Sequence, residues 1–264
     1  QNADFRRAMS VAINREEINE VSYLGLGTPR AFVVVPDSPY YEAEFEQLYA
    51  QYDPELANEL LDKIGLKKGA DGFRTRPDGT RLEITVEGME WDKATTDELE
   101  LVVAAWNAVG VRASMKTLSR ELYWTRACSN EIEVATWTES RAIDPMVDPL
   151  WVFPYDERSW LAPAYGNWYY SGGEFGDEPP QYLKDMMALY DEYKTTVDRD
   201  EQTRIAKELL RQNAEDVFVI GTVGLTPNVV VVKNDFRNVP EDFTTDWIYM
   251  APGTLDPCHF YFDR

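Results

Sequence analysis

The sequence predicts an α/β protein built on a largely parallel sheet, and three observations predict it. Residues 82–137 read as strand, helix, strand, helix, strand, with period-two and helical patterns alternating along the chain. That succession at those spacings is the pattern of crossover-connected parallel strands. Amphipathic helical segments precede and follow this block, so helices flank the sheet. A length of 264 residues allows one large domain or two modest ones, with a core of real size.

In chain order, residues 5–13 have helical periodicity, with Phe5, Met9, Ala12 and Ile13 on one face. Asn14 begins a second helix that Gly25-Leu26-Gly27 stops. A Pro- and Tyr-containing loop runs through Pro36 and Tyr41. Asp53-Pro54 is a cap followed by proline at the first helical position, and that helix ends at Gly65, suited to a left-handed cap. Arg76-Pro77-Asp78-Gly79 forms a turn, and residues 82–87 alternate as a strand. Thr95 and Glu98 make a capping box for a helix reaching Ala108. Residues 111–116 alternate again, Ser119 caps the next helix, and residues 132–137 are the third strand.

From Thr138 to Pro180 no regular element is expected. Yet residues 151–170 carry Trp151, Phe153, Tyr155, Trp160, Tyr165, Trp168, Tyr169 and Tyr170, far too aromatic for disorder, so this long loop packs against something. Helices follow over about 181–197 and, capped by Asp198 with Glu201 three residues on, to about Asp216. Residues 217–223 and 229–232 read as buried strands, and the tail from Asn234 is loop-like.

The chain carries 47 acidic against 26 basic residues, a formal net charge of −21. That surface repels phosphate backbones and anionic lipid, which excludes nucleic acid and membrane-surface partners. No apolar run approaches the roughly 18–20 residues that cross a bilayer. The sequence opens at Gln1 on a helical pattern, so an export signal is expected only in a longer precursor. Cys128 and Cys258 have neither metal nor redox spacing; a disulfide and two buried free thiols are both open.

Ligands of open α/β sheets bind beyond the carboxyl ends of the strands. Those ends deliver Trp91, Ser119 and the run from Trp137 through Glu139 to Arg141, and the aromatic loop starts from the same edge. The candidate ligand-binding residues are therefore Trp91, Trp137, Glu139, Arg141, Asp144, Trp151, Trp168 and Tyr169: aromatic walls with a few polar groups. Each has a plainer reading. Trp137 can be core, Trp91 can pack locally, the three charged residues can pair on the surface, and the loop aromatics can be anchors. No catalytic residue, metal site or cofactor is expected. His259 adjoins Cys258, but sequence neighbours point apart, and Gly25-Leu26-Gly27 lacks the features of a phosphate cradle.

The stretch Phe5-Arg6-Arg7-Ala8-Met9-Ser10-Val11-Ala12-Ile13-Asn14-Arg15-Glu16-Glu17-Ile18 is similar to the FRxAxxxAIDRExI signature of family 5 extracellular solute-binding proteins. Collinear pieces follow at Gly25–Pro29, Tyr52-Asp53-Pro54, Asp71-Gly72-Phe73-Arg74 and Asp78-Gly79. The resemblance implies a lobe of the periplasmic-binding-protein type, class II, in a chain about half the family's mature length. It implies a ligand-binding lobe over 1–220 and a segment over 221–264 crossing back toward another lobe. It also implies the substrate-binding component of an ABC importer, periplasmic or extracellular or lipid-anchored, monomeric, that delivers a solute to permease subunits and is not an enzyme. Peptide is the first solute implied and oligosaccharide the second; a carboxylate-based glycosidase and an interaction module are the other readings. The family's peptide binders often place an Asp three positions after a strand-end Trp, but here Trp137 is followed at that distance by Ser140, which weakens a simple peptide reading. Half a clamshell is expected to bind its solute only weakly.

Overall fold

The structure is a computed structural model and describes residues 2–90, 93–138, 141–248 and 255–263. Two helices open the chain, α1 (Ala3–Val11) and α2 (Arg15–Tyr23), each started by an asparagine whose side chain accepts a backbone N–H of its first turn. Helix α2 ends one residue before the expected glycine, on Leu24 in the left-handed conformation. A two-residue strand β1 (Thr28–Pro29) follows, and then α3 (Pro54–Lys63), capped by Asp53 and closed by Gly65 at positive φ. The short antiparallel strands β2 (Lys67–Lys68) and β3 (Arg74–Thr75) lead into the sheet.

The sheet is parallel throughout. Strand β4 (Glu83–Met89) lies between β5 (Arg112–Leu118) and β6 (Val134–Ala135), with Glu83 opposite Arg112 and Val86 opposite Val134. Helix α4 (Lys93–Ala108) joins β4 to β5, and α5 (Arg120–Cys128), capped by Ser119, joins β5 to β6. Alternation along β4 has a direct consequence: Val86 enters the apolar core while Glu87 faces the other way, buried against the Arg126 guanidinium of α5. Helix α4 begins two residues before Thr95, which therefore lies in the first turn and is not the cap.

Two apolar clusters form. One joins α1–α4 to the sheet, around Val11, Ile13, Leu61, Val86 and Trp106. The other joins α7 (Gln181–Thr195) and α8 (Arg199–Asp216) to the aromatic segment, around Phe153, Met186, Ile205 and Leu209. Arg6 and Arg7 bridge them, donating to the carbonyls of Glu215, Asp216 and Val217 at the end of α8, where acceptors lack helical partners.

Three expectations are corrected. The 138–180 segment is not irregular throughout: α6 (Pro163–Tyr170) lies within it. Its aromatic sequence hides any amphipathic period, and Gly166 sits so close to Asp156 that an added Cβ would stand 2.3 Å from the Asp156 carbonyl oxygen. Residues 217–223 and 229–232 are not buried strands. Val217 is the left-handed cap of α8, and of the first run only Val223 enters a strand, β7 (Val223–Gly224), antiparallel to β1. Val229, Val230, Val231 and Val232 are exposed and unladdered, because a β-branched run favours extended backbone but cannot supply a partner strand. The thiols are free, with Cys258 exposed and Cys128 half-buried. In the tail, β8 (Phe236–Arg237) pairs with β9 (Tyr261–Phe262).

Candidate functional site

The chain leaves β4 for β5 on one side and returns past β4 to β6 on the other, so strand order reverses at β4. With right-handed crossovers, α4 and α5 cover opposite faces, the arrangement in which open α/β sheets bind ligands beyond the carboxyl ends of their strands. Trp137 stands two residues past β6 at this edge. Tyr123 of α5 fixes it: fully buried, its hydroxyl donates to the Thr136 carbonyl at 2.5 Å and accepts from the Thr136 N–H at 2.8 Å. Burial pushes this phenol up to about 12.

Around Trp137 the aromatic segment closes in through one ring. Trp160 lies 5.1 Å from Trp137, 5.3 Å from Trp124, 5.2 Å from Tyr123 and 5.4 Å from Trp151, centroid to centroid and nearly perpendicular in each case. Such edge-to-face contacts are favourable for aromatic quadrupoles. Trp137 also lies parallel to Tyr123 at 6.5 Å. The indole N–H of Trp151 is buried without a hydrogen-bond acceptor, whereas that of Trp160 faces the Cys128 sulfur. Trp160 stands beside the Cys128 thiol, which burial holds above its usual range.

Next to this cluster is a small open cleft lined by Phe32, Val34, Arg141, Asp148, Trp151 and Leu210 among others. Arg141 donates to Asp148 at 2.9 Å, and Asp148 also pairs with Arg158 at 3.2 Å. Asp144 caps the turn at Pro145–Val147, accepting from the Met146 N–H. Burial holds its carboxyl above the ordinary range, and the nearby Asp246 carboxylate adds to this. Asp246, itself buried, comes from the tail and accepts the N–H groups of Ile143 and Ile248.

Of the candidates, Trp137 and Trp151 meet through Trp160, and Arg141 lines the cleft with Trp151, Asp144 standing in the same loop. Trp168 and Tyr169 lie elsewhere, on α6 against α7. Lys184 lies over Trp168, while Tyr169 donates to Asp191 at 2.5 Å and packs on Phe153 and Tyr155. These two anchor the segment to the second core. Trp91 and Glu139 lie outside the described residues. Sequence reading missed Tyr123, Trp124 and Trp160. The first two sit in the helix that leaves the carboxyl end of β5, which was a usable signal; nothing local marked Trp160. Among the described residues no group of His, Cys, Asp and Glu could hold a metal ion.

Residues 1–159 match the profile described as bacterial extracellular solute-binding proteins, family 5 Middle. The chain is similar to a solved oligopeptide-binding protein OppA, 33% identical with a TM-score of 0.83, over all of this chain and 44% of that one. It is 24% identical to the periplasmic alpha-galactoside-binding protein of Rhizobium meliloti (strain 1021), over 91% of this chain and 34% of that protein. The fold also matches the periplasmic binding protein MelB of Agrobacterium fabrum C58 in complex with stachyose, with a TM-score of 0.70 and 19% identity, over 84% of this chain and 33% of that one. The chain thus spans between a third and a half of the length of these relatives.

Proposed function

The chain belongs to the bacterial extracellular solute-binding proteins of family 5, and from that premise we propose that it forms one wall of a solute-capture site in an ABC importer. In this reading the protein works outside the cytoplasm and hands an organic solute to permease subunits, as a monomer and without chemical turnover. A peptide-like solute is the first reading, supported by the oligopeptide-binding relative. Oligosaccharide is the second, favoured by the indole cluster at the sheet edge and by what the other two relatives bind by name.

One observation carries the proposal: the Trp160-centred cluster and the Arg141–Asp148 cleft lie side by side at the carboxyl edge of the sheet. The cleft alone is far smaller than a complete small-molecule site, which takes roughly 300–1,000 Å3. It suits half of a site that a facing lobe completes by hinge closure. Residues 1–220 would then be the solute-binding lobe and 221–264 a segment crossing toward the facing lobe, which the exposed Val229–Val232 run supports.

The test is mass spectrometry of solute co-purified with the full-length protein, joined to thermal shift on adding the solute found. A peptide or a sugar that raises Tm without being consumed is the expected result. A solute that is cleaved, or a protein that carries none and is stabilised by no peptide or sugar, would overturn the proposal.

A further inference from the structure

Among the described residues after Val217, Asp246 alone is buried, at 4% exposure, between the exposed Thr245 and Trp247. A buried carboxylate is unfavourable unless hydrogen bonds replace its hydration. Two backbone N–H groups do so here, from Ile143 at 2.9 Å and from Ile248 at 2.7 Å. The Ile248 bond is local and closes a turn on Asp246 itself. The Ile143 bond spans 103 positions and lands in the 141–148 loop. Two residues before Asp246, Thr244 donates to the Asp37 carboxylate in the turn over 35–38. The two receiving segments are themselves joined, the Val35 N–H donating to the Ala142 carbonyl at 3.0 Å. Val34, Arg141, Ala142 and Pro145 line the cleft, so the tail is fastened where two segments of the cleft wall meet. Half-buried Asp144 brings a second carboxylate to this seam, close enough for the two to repel. The bond from the Ile143 N–H holds the tail in place against that repulsion.

We propose that Asp246 is a positioning residue for solute capture: seated on the Ile143 N–H, it makes the tail and the 141–148 loop move together, so that the tail sets where Arg141 stands in the cleft. The role rests on the solute-capture reading and deepens it. In that reading the tail crosses toward the facing lobe, and Asp246 carries a movement of that lobe into the cleft wall.

The test labels the arginines of the 264-residue chain with phenylglyoxal and reads Arg141 by peptide mass spectrometry. Hydrogen–deuterium exchange is followed alongside, in peptides covering 141–148 and 242–248. Asp246→Ala should raise exchange in both peptides about tenfold, the range a hydrogen bond to a charged group supplies, and change the Arg141 labelling rate about threefold or more. Asp246→Asn keeps an oxygen for the Ile143 N–H and should restore most of both readouts. Thr244→Val, which removes only the Asp37 contact, should loosen the two peptides in parallel and by less. Arg204, exposed on α8, should label at an unchanged rate in every variant, and exchange along β4 checks that each is folded. A loosened 242–248 peptide beside unchanged 141–148 exchange and unchanged Arg141 labelling would show that Asp246 anchors the tail alone, and overturns the proposal. An Asp246→Ala variant that alters neither peptide overturns it too. If Asp246→Ala does not fold, Thr244→Val decides on the same criterion. The wider reading fails differently: a full-length protein that captures no solute sinks that reading while the coupled exchange still stands.

Discussion

Arg15 is buried at the join between α2 and the chain around Gly221, where its guanidinium donates to the carbonyls of Ser10, Ala50 and Gly221 and to the Ser10 hydroxyl. Desolvation lowers it to about 10, so it stays charged at neutral pH. Arg15→Met strands those acceptors and should cost about 3 kcal/mol in urea unfolding; a loss below about 1 kcal/mol would show that water replaces the donor. Arg74 plays a like part, tying Asn58, Leu66 and Val109 together. The signature residues that mark the family are thus largely scaffold: Arg6, Arg7, Arg15 and Arg74 all satisfy backbone carbonyls. Asp144 yields a pH prediction. Its folded pKa is raised above the ordinary 3.8, so its contribution to stability is full below that value and is lost as pH rises through the folded one. Asp144→Asn keeps the capping oxygen and loses the charge. Its stability should therefore gain on the native protein as pH rises above 3.8, and a pH-independent difference would contradict the burial of this carboxyl.

Among elements, the α5–β6 junction sets the indole cluster. Tyr123→Phe removes the hydroxyl that bonds both the Thr136 N–H and its carbonyl and should destabilise by about 2 kcal/mol. It should also broaden the fluorescence of the tryptophan cluster, and an unchanged melt and spectrum would show that β6 is held elsewhere. Ser119 as the cap of α5 was legible because capping chemistry is local; the pairing of Tyr123 with Thr136 was not, because it needs both partners placed. The Val229–Val232 segment shows the same limit from the other side. Val231→Lys should leave unfolding in urea within about 0.5 kcal/mol of the native protein. A large loss of stability would mean the strip is packed after all.

For the whole molecule, the acidic surface acts against compactness. Raising ionic strength from about 0.01 M to about 0.15 M shortens the screening length from roughly 30 Å to 8 Å and should raise Tm by a few degrees. A Tm that falls with salt would point instead to stabilising surface ion pairs. Arg6 and Arg7, bound to the end of α8, couple the two apolar clusters, which makes this surface effect a property of one cooperative body.

The sequence by itself determined the parallel α/β block, the Ser119 cap within it and the family, because alternation, capping and a collinear signature are all written within short stretches of chain. It also pointed to the carboxyl edge of the sheet, where Trp137 and Trp151 meet through Trp160 and Arg141 lines the cleft with Trp151. Only the tertiary structure decided which aromatics join them. Trp160 and Trp168 look alike in sequence, yet one completes the indole cluster and the other anchors α6 to α7. Ring-to-ring contact depends on where distant segments dock, and no local pattern encodes that.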